Sequence, residues 1–566
     1  MIKLLYYVLL FTLFYSCKSD PTTIKTYTPS KYVQADSAAV VTAHPLASEI
    51  GLQILRDGGN AVDAAIGVQF ALAVCYPVAG NLGGGGFMIL REQNGEVVAL
   101  DFREMAPAAS TEVMFLDKMG EVNIDLARNG ALSAGVPGTV AGMQEAFEKY
   151  SLLKNWKRLV QPAIDLAANG FKITTRQAEM FNETRVHFEK YNRFTPPIIK
   201  SSPWQSGDEF VQKELANTLT RIRDFKRDGF YKGAVADYIV AEMEATDAIM
   251  THADLEGYEA KWRTAIHCDF DGYQIYSMPP PSSGGIALCQ LFEMVEPYNL
   301  EQFGMHSPRA IHIMTEAERR VYADRSKHLG DSDFYNVPIS TLLDNAYLKK
   351  RMSNVGLAKA GKSNYVKAGT INESTETTHY SILDKYGNAV SITTTINGAY
   401  GSKQFVSGAG FLLNNEMDDF SAKPGSPNLY GLIGAEANKI EPKKRMLSSM
   451  TPTIITKDGK VRMILGTPGG STIITSVFQV AMNIIEFKKD VKTASNAPRF
   501  HHQWLPDTIT IEDNVFNKNV ISQLQSMGHA FKEVSAIGKV ETIWVNENGE
   551  IEAVADKRAD DHAVGY

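Results

Sequence analysis

The sequence predicts a single α+β body built in layers, and three observations support this. Ala-rich helical segments dominate the first part of the chain, whereas strand patterns dominate after Thr377. Hydrophobic residues make up 44% of the 566 residues and charged residues 21%, values typical of a globular protein with a large core. The sequence contains no internal repeat. Helices followed by strands along one chain are typical of the α+β class.

The charge composition argues against a nucleic-acid partner. The chain carries 57 Lys and Arg against 64 Asp and Glu, which gives a formal charge of −7 and a pI near 6.0. Binding of phosphate backbones needs clustered cationic side chains, and no such field is present in the sequence. We therefore expect no nucleic-acid partner.

The N-terminus has the pattern of an export signal. Lys3 precedes a mainly apolar run over residues 4–16, which is shorter than the roughly 20 residues of a spanning helix. "FYSC" resembles the lipobox of bacterial lipoproteins, although Phe14 and Tyr15 depart from its usual residues; ordinary signal cleavage is the alternative. We predict a signal peptide over residues 1–16, lipidation of Cys17 and a polar tether over residues 17–35. The mature protein is then expected in the periplasm or cell envelope, attached to the membrane by its lipid.

The cysteines and histidines do not indicate a metal site. Cys75 ends an apolar helical run and is interpreted as a packed side chain. Cys268 and Cys289 could pair in an exported protein, but the sequence leaves this open. There is no CxxC or zinc-ligand spacing, and the adjacent His501 and His502 point apart if they lie on a strand. We expect neither a metal nor a cofactor.

The segment "HPLASEIGLQILRDGGNAVDAAIGVQFALAVCYP" predicts two consecutive helices. The first ends at Gly58 and Gly59, and Asn60 caps the second. The second helix is apolar on all sides, so we expect it to be buried.

The following "NLGGGGFMIL" leads four glycines into a strand. A phosphate loop would continue with Gly-Lys-Ser/Thr, but Phe87 and Met88 stand there, so close backbone packing is the better interpretation. Residues from about 140 to 325 have a mostly helical pattern. Later in the chain, "TPTIITKDGKVRMIL" predicts a hairpin that turns at residues 457–459.

The stretch "TTHYSILDKYGNAVSITTTIN" predicts a second hairpin, with Gly387 and Asn388 in its turn. Pairing about that turn places Thr377 opposite Thr395 or Ile396, depending on the register. Threonines are common strand residues, and ordinary cross-strand pairs are one interpretation. The other interpretation is that Thr377 is a nucleophile.

A threonine hydroxyl is a weak nucleophile, but a free α-amine on the same residue can act as its base. Such an amine titrates near pH 7.7–8.0 in model peptides. It exists only if the bond between Glu376 and Thr377 is cut, so this interpretation predicts a cleavage site there.

Four further motifs supply groups that acyl transfer requires, although each also has an ordinary structural interpretation. They are the glycine pair Gly469 and Gly470 in "LGTPGGS", the hydroxyls of Ser448 and Ser449 in "RMLSSMTP", the carboxylates of Glu416, Asp418 and Asp419 in "LLNNEMDDFS", and Arg103 in "LDFREMAP". Taken singly, they could be a glycine turn, a strand start, a solvated acidic loop and a surface salt bridge.

Together with "GGNAVDAA", "GNLGGGGFM", "TTHYSILD…GNAVSITTTIN" and "NAPRFHHQW", these motifs resemble, in order, those of gamma-glutamyltransferases (gamma-glutamyltranspeptidases). The resemblance extends from about residue 40 to the C-terminus. It implies the four-layer αββα sandwich of N-terminal nucleophile hydrolases. It also implies self-cleavage into a large subunit (residues 36–376) and a small subunit (residues 377–566) that stay associated.

The resemblance also implies a role for each motif residue. Thr377 would be the nucleophile, Thr395 would hydrogen-bond its hydroxyl, and the amides of Gly469 and Gly470 would form the oxyanion hole. Substrate contacts would come from Arg103, Ser448 and Ser449 at the α-carboxylate, and from Asn397, Glu416 and Asp419 at the α-amino group. The pattern suits a zwitterionic amino-acid head, which needs a cation and carboxylates around it. "SAKPGSPNLYGLIGAEAN" resembles a lid loop of bacterial members.

Three functions remain open at this stage. The first is an exported enzyme that takes the γ-glutamyl group from glutathione and related compounds and passes it to water or to amino-acid or dipeptide acceptors. The second is an acylase for amide-linked antibiotics or γ-linked glutamate polymers. The third is a lipid-anchored binding protein that has lost activity, against which the presence of Thr377, Thr395, Gly469 and Gly470 argues.

Overall fold

The computed structural model describes residues 28–363, 377–423, 425–426 and 428–566. The predicted signal peptide, Cys17 and Glu376 lie outside these residues. The described strands are β1 Tyr32–Ala35, β2 Ala39–Thr42, β3 Gly85–Arg91, β4 Val97–Asp101, β5 Phe171–Lys172, β6 Glu209–Phe210, β7 Lys261–Arg263, β8 Ile266–Phe270, β9 Tyr273–Ser277, β10 Thr378–Leu383, β11 Ala389–Thr395, β12 Thr453–Lys457, β13 Lys460–Gly466, β14 Phe500–His501, β15 Ile509–Glu512, β16 Phe531–Val534, β17 Glu541–Val545, β18 Ile551–Val554 and β19 His562–Gly565.

The described α-helices are α1 Pro45–Arg56, α2 Ala61–Cys75, α3 Ile124–Arg128, α4 Thr139–Tyr150, α5 Trp156–Asn169, α6 Thr175–Tyr191, α7 Lys213–Phe225, α8 Asp228–Tyr231, α9 Gly233–Glu244, α10 His252–Glu256, α11 Gly284–Val295, α12 Pro308–His328, α13 Ile339–Leu342, α14 Asn345–Met352, α15 Thr472–Ile485, α16 Val491–Asn496 and α17 Lys518–Ser526. None of the helices in the described residues has both the length and the apolar character needed to cross a bilayer.

Two seven-stranded sheets form the centre of the molecule. One has the strand order β19-β2-β10-β11-β3-β4-β7, and the other has the order β1-β18-β17-β13-β12-β9-β8. The sheets pack face to face, with α1 and α2 covering the first sheet and α11 and α15 covering the second. The predicted four-layer αββα sandwich is therefore confirmed.

The hairpin β10–β11 lies in the middle of the first sheet, and its side chains alternate between the two faces. Tyr380 and Ile382 pack under the helices, whereas Leu383 packs in the core between the sheets. Because side chains alternate along a strand, residue 377 belongs to the face that meets the second sheet. Thr395 lies on the same face. Ala389 packs in the core between the sheets, and alternation along β11 puts every second residue after it, including Thr395, on that side.

The two N-terminal helices form as the sequence predicts. Asn60 accepts a hydrogen bond from the amide of Asp63, and the Asp63 side chain bonds back to Asn60, which makes a capping box for α2. Every residue of α2 is buried. The preceding helix ends at Arg56, just before Gly58 adopts a φ of 92°.

Three predictions need correction or completion. The polar tether over residues 17–35 is wrong at its end, because Tyr32–Ala35 forms β1 and pairs with Ile551–Val554. The helical pattern assigned to residues 140–325 also contains β5 to β9, whose short strands give little local signal. The open question of Cys268 and Cys289 is answered by a disulfide with a Cα–Cα distance of 5.7 Å, which joins β8 to α11.

Candidate active site

The hydroxyls of Thr377 and Thr395 lie 3.5 Å apart at the end of the central hairpin. The register sets this distance: Thr378 pairs with Thr394, so the residues one step outward face each other. Thr377 is 3% exposed and Thr395 is equally buried. Of the two registers open from the sequence, the structure adopts the one that pairs the threonines.

The hydrogen bonds around Thr395 determine which way its hydroxyl points. The backbone amide of Asn397 donates to Thr395 Oγ1 at 2.7 Å. The Thr395 oxygen therefore already accepts one bond, and its own proton can be donated to the Thr377 oxygen or to the Glu416 carboxylate. A bond donated to the Thr377 oxygen would hold that hydroxyl in place.

Gly469 and Gly470 form the turn between β13 and α15. Gly470 has a φ of 53° and Gly469 a φ of 141°, backbone conformations that favour glycine. Among the described residues, neither glycine amide donates to a protein acceptor, while both carbonyls accept bonds from the first turn of α15. Unpaired amides at a helix N-terminus are a site for developing negative charge.

Arg103 lies at the centre of a buried ion cluster on the other side of the cavity. Its guanidinium is 2.9 Å from Glu416, 2.6 Å from Asp419 and 3.5 Å from Glu104. A further bond from Arg103 Nε to the Met446 carbonyl fixes the plane of the group. One buried cation thus faces three carboxylates.

Burial raises the pKa values of all three carboxylic acids against the opposing effect of the Arg103 charge. The pKa of Glu416 is raised well above its usual range, that of Glu104 is raised to about 8, and that of Asp419 is also raised. Burial lowers the pKa of Arg103, but attraction to the three carboxylates outweighs this and the net shift is upward. The cluster therefore holds protons that it can lose when a second cation arrives.

The remaining polar groups of the site have free hydrogen-bonding capacity. Asn397 donates its Nδ2 to the Asn415 carbonyl, and its buried Oδ1 has no protein partner. Ser448 Oγ accepts from the amide of Met450, and Ser449 Oγ accepts from Arg325, so both serine hydroxyl protons are free to donate. The site thus offers an acceptor for an ammonium group and donors for a carboxylate.

These groups line one cavity. Nine of the ten catalytic and substrate-binding residues expected from the sequence are in its wall: Arg103, Thr377, Thr395, Asn397, Glu416, Asp419, Ser448, Ser449 and Gly470. Gly469 is adjacent to Gly470 and does not line the cavity itself. The structure therefore brings together motifs that are more than 360 residues apart in the sequence.

Sequence reasoning did not identify three residues of the site. Arg325 lines the cavity from α12, and burial lowers its pKa to about 10. Glu104 directly follows the predicted Arg103, which was the one available signal for it. Tyr430 lies in the predicted lid loop, and its hydroxyl donates to the Asn397 carbonyl at 2.7 Å. Nothing in the helical pattern of α12 distinguished Arg325 from a surface arginine.

Described residues of the predicted lid loop, residues 421–438, contact the acidic segment Glu416–Asp419. Asn428 donates to Asp419 Oδ1 at 2.9 Å, and the amide of Leu429 donates to Asp418 at 2.6 Å. Gln503 donates to the Tyr430 carbonyl at 3.2 Å. The loop is thus held to the same acidic segment that contributes to the cavity.

The predicted structural role of the two adjacent histidines agrees with their contacts. His501 bonds Thr475 and Gln503, whereas His502 faces Asp507. The two rings have different partners, as expected for neighbouring positions that point apart.

Comparison with known proteins identifies relatives along nearly the whole chain. The family model described as "Gamma-glutamyltranspeptidase" matches residues 47–566. The glutathione hydrolase proenzyme of Escherichia coli (strain K12) is 44% identical over 539 residues, which cover 94% of this chain and 93% of that protein. The glutathione hydrolase proenzyme of Pseudomonas sp. (strain A14) is 46% identical over 502 residues, 88% of this chain and 87% of that protein.

Solved structures give the same result for the fold. A cephalosporin acylase from Bacillus halodurans superposes with a TM-score of 0.83 at 25% identity and covers 97% of this chain and 99% of its own. A gamma-glutamyltranspeptidase from Helicobacter pylori superposes with a TM-score of 0.56 at 44% identity, over 61% of this chain and 97% of its own.

Proposed function

Because the chain belongs to the gamma-glutamyltranspeptidase family, we propose that Thr377 is its nucleophile and that the cavity around Thr377 binds a γ-glutamyl group. The protein is a gamma-glutamyltransferase and glutathione hydrolase, made as a proenzyme that cleaves itself into two associated subunits. The roles of individual residues, the acceptors and the attachment to a membrane are the proposals developed here.

Self-cleavage would occur between Glu376 and Thr377. The Thr377 hydroxyl attacks the carbonyl carbon of Glu376, and the peptide nitrogen of Thr377 leaves as an amine while an ester forms. Water then hydrolyses that ester, which restores the hydroxyl and leaves Glu376 as the C-terminus of the large subunit. The new α-amine of Thr377 is the base that the mature enzyme needs.

In the mature enzyme, the Thr377 amine takes the hydroxyl proton as the oxygen attacks the γ-carbonyl of the donor. Thr395 steadies the attacking oxygen, and the amides of Gly469 and Gly470 receive the negative charge of the tetrahedral intermediate. The amine then protonates the leaving group. The resulting γ-glutamyl ester passes to water or to the amine of an amino acid or dipeptide, and this second step regenerates Thr377.

The charges of the cavity fit the α-carbon end of the donor. The α-ammonium group would lie against Glu416, Asp419 and the free Asn397 Oδ1, and would compete with Arg103 for the two carboxylates. The α-carboxylate would then take the released Arg103 donors together with the Ser448 and Ser449 hydroxyls. Binding of the zwitterion thus exchanges ion pairs inside the cluster and leaves no buried charge unpaired.

The observation that carries this proposal is the 3.5 Å contact between the Thr377 and Thr395 hydroxyls in a cavity that also holds the Arg103 cluster. Two anilide substrates test it, one with a γ-glutamyl group and one with a glutaryl group that lacks the α-amine. We expect a much higher kcat/KM for the γ-glutamyl anilide, and a γ-glutamyl adduct on the Thr377 peptide in mass spectra of acid-quenched enzyme. Equal rates on both substrates would favour the acylase hypothesis. An adduct on another residue would contradict the assignment of Thr377 as the nucleophile.

Outside the catalytic body, the proposal includes export and lipid attachment. The apolar run over residues 4–16 and the lipobox-like "FYSC" support a signal peptide followed by an acylated Cys17. The enzyme would then act in the periplasm or cell envelope, where extracellular or periplasmic glutathione is its donor. The disulfide between Cys268 and Cys289 is consistent with an oxidising compartment.

A further inference from the structure

We propose that His312, Glu316 and His529 form a binding site for a divalent transition-metal ion, with zinc as the best match, that joins the two subunits. One ligand atom from each residue lies within 4.8 Å of the others, and all three residues are buried. His312 and Glu316 occupy successive turns of α12, and His529 follows α17. No metal was expected from the sequence, because it has no CxxC and no zinc-ligand spacing; His529 lies more than 200 residues from the other two residues.

The hydrogen bonds of His312 leave its inner nitrogen free for a metal. Its Nε2 is 2.8 Å from the Gly356 carbonyl, which only accepts, so Nε2 carries the proton. In the neutral ring Nδ1 is then unprotonated, and it faces His529 Nε2 at 2.8 Å. Metal-bound histidines typically donate their outer N–H to a carbonyl in this way. For a metal to bind between the two rings, the proton of His529 would move from Nε2 to the other ring nitrogen, Nδ1.

The third ligand, Glu316, has coordinating capacity left. Oε1 accepts from the Gly361 amide at 2.8 Å and lies 3.4 Å from Arg319, and Oε2 accepts from Arg320 at 2.7 Å. An ionised carboxylate has about four lone-pair positions, so one remains. Two imidazoles and one carboxylate are a ligand set used by zinc, with water in the fourth position.

The neighbouring charges limit the affinity. Arg319 and Arg320 are already balanced by Glu316 and Asp507, so the positive charge of the ion is not compensated by any further carboxylate of this group. We therefore expect weaker binding than at a closed site with four protein ligands, in the range that a titration with micromolar protein measures.

The position of the site indicates a structural role. The helix α12 carries Arg325 to the active site, and His312 lies 13 residues before it, about 20 Å along the helix axis. His312 and Glu316 belong to the large subunit and His529 to the small one. The ion would therefore fasten the helix that supports the active site to the other subunit once the chain has been cut.

Metal uptake by the tag-free, processed protein tests the proposal. After chelator treatment and desalting, the protein is titrated with Zn²⁺ or Co²⁺ and its metal content is measured. We expect one ion per heterodimer, visible d–d bands with Co²⁺, two imidazole ligands in zinc X-ray absorption spectra, and a higher thermal midpoint with metal. Failure to take up a stoichiometric ion would overturn the proposal, as would a zinc spectrum without imidazole.

Variants locate the ion. His312→Gln and His529→Gln should each abolish stoichiometric uptake, whereas His328→Gln, at the far end of the same helix, should leave it unchanged. Undiminished uptake by both of the first two variants would place the ion elsewhere. Only the joining of two subunits depends on the proposed cleavage, so uncut Thr377→Ala protein should bind the ion equally well. The site and the cleavage can therefore fail independently.

Discussion

The ring of Tyr430 lies directly against Gly470, so that a Cβ atom on this glycine would come within 2.1 Å of the ring. This contact joins the lid loop to the amide that we assign to the oxyanion hole. The Tyr430 hydroxyl also donates to the Asn397 carbonyl, so the ring is fixed at both ends. The Tyr430 ring therefore links the predicted lid loop to the turn that carries Gly470.

Gly470→Ala should displace the Tyr430 ring and lower kcat/KM. A second substitution, Tyr430→Ala, should restore part of the lost kcat/KM. The new methyl group collides with the ring, and the φ of 53° adds a steric cost of about 1 kcal/mol for alanine. We expect a large fall in kcat/KM for a γ-glutamyl anilide. In the double variant with Tyr430→Ala, the collision is gone and only the backbone cost remains. A double variant no better than Gly470→Ala alone would show that the ring contact is not the cause.

Thr377→Ala should give a single uncut chain without activity, because both proposed steps use the Thr377 hydroxyl. Thr377→Ser keeps a hydroxyl and should still cut, which makes it the matched control. Denaturing gel electrophoresis distinguishes one band from two, and N-terminal sequencing locates the cut. Cleavage of purified Thr377→Ala between residues 376 and 377 would show that another group is the nucleophile.

The sequence predicted the site well where local patterns carried the information. The hairpin turn determined the pairing of Thr377 to within one residue, and the family motifs supplied the other expected residues of the cavity wall. The capping of α2 by Asn60 followed from local rules in the same way.

Long-range contacts explain what was missed. The strand β1 pairs with residues more than 500 positions away, so its four residues could not be distinguished from a tether. Arg325 enters the cavity because α12 packs against α11 and the Arg325 side chain reaches Ser449, which no periodicity reveals. The pairing of Cys268 and Cys289 likewise depends on the approach of β8 to α11.

Arg103→Lys should weaken substrate capture without preventing self-cleavage. Lysine loses the fork that contacts Glu416 and Asp419 together, and the charge-assisted bond lost is worth about 2 kcal/mol, or roughly 30-fold in kcat/KM. Arg128→Lys, which alters a pair with Asp418 outside the cavity wall, is the matched control. An anilide of 4-aminobutanoic acid, which lacks the α-carboxylate, should be affected less. An unchanged kcat/KM for the γ-glutamyl anilide would show that Arg103 does not bind the substrate.

The rate should rise with pH more steeply for a γ-glutamyl than for a glutaryl anilide. Burial raises the pKa of Glu104 to about 8 and that of Glu416 well above its usual range, so both acids are protonated at lower pH and hold an ammonium group poorly. Their negative charge, and the attraction, appear as the pH rises through these raised values. The Thr377 amine acts on both substrates alike, so its titration contributes equally to the two profiles.

The difference between the pH–rate profiles of the two anilides therefore reports the ionisation of the carboxylic acids alone. It should grow as the pH rises toward about 8, the raised pKa of Glu104, and should shrink in Glu416→Gln, whose amide does not ionise. Parallel profiles for the two anilides in the unsubstituted enzyme would contradict the assignment of the ammonium group to Glu416.

The last prediction concerns the N-terminus, which lies outside the described residues. If Cys17 is acylated, the mature protein should sediment with membranes and be released by detergent. A single acyl chain binds a bilayer only marginally, so stable attachment requires the several chains of a lipoprotein. Cys17→Ser should abolish incorporation of labelled fatty acid while leaving kcat/KM unchanged in whatever protein is recovered, because β1, the first described strand, begins only at Tyr32. Recovery of the wild-type enzyme entirely in a soluble periplasmic fraction, with an N-terminus other than Cys17, would favour ordinary signal cleavage instead.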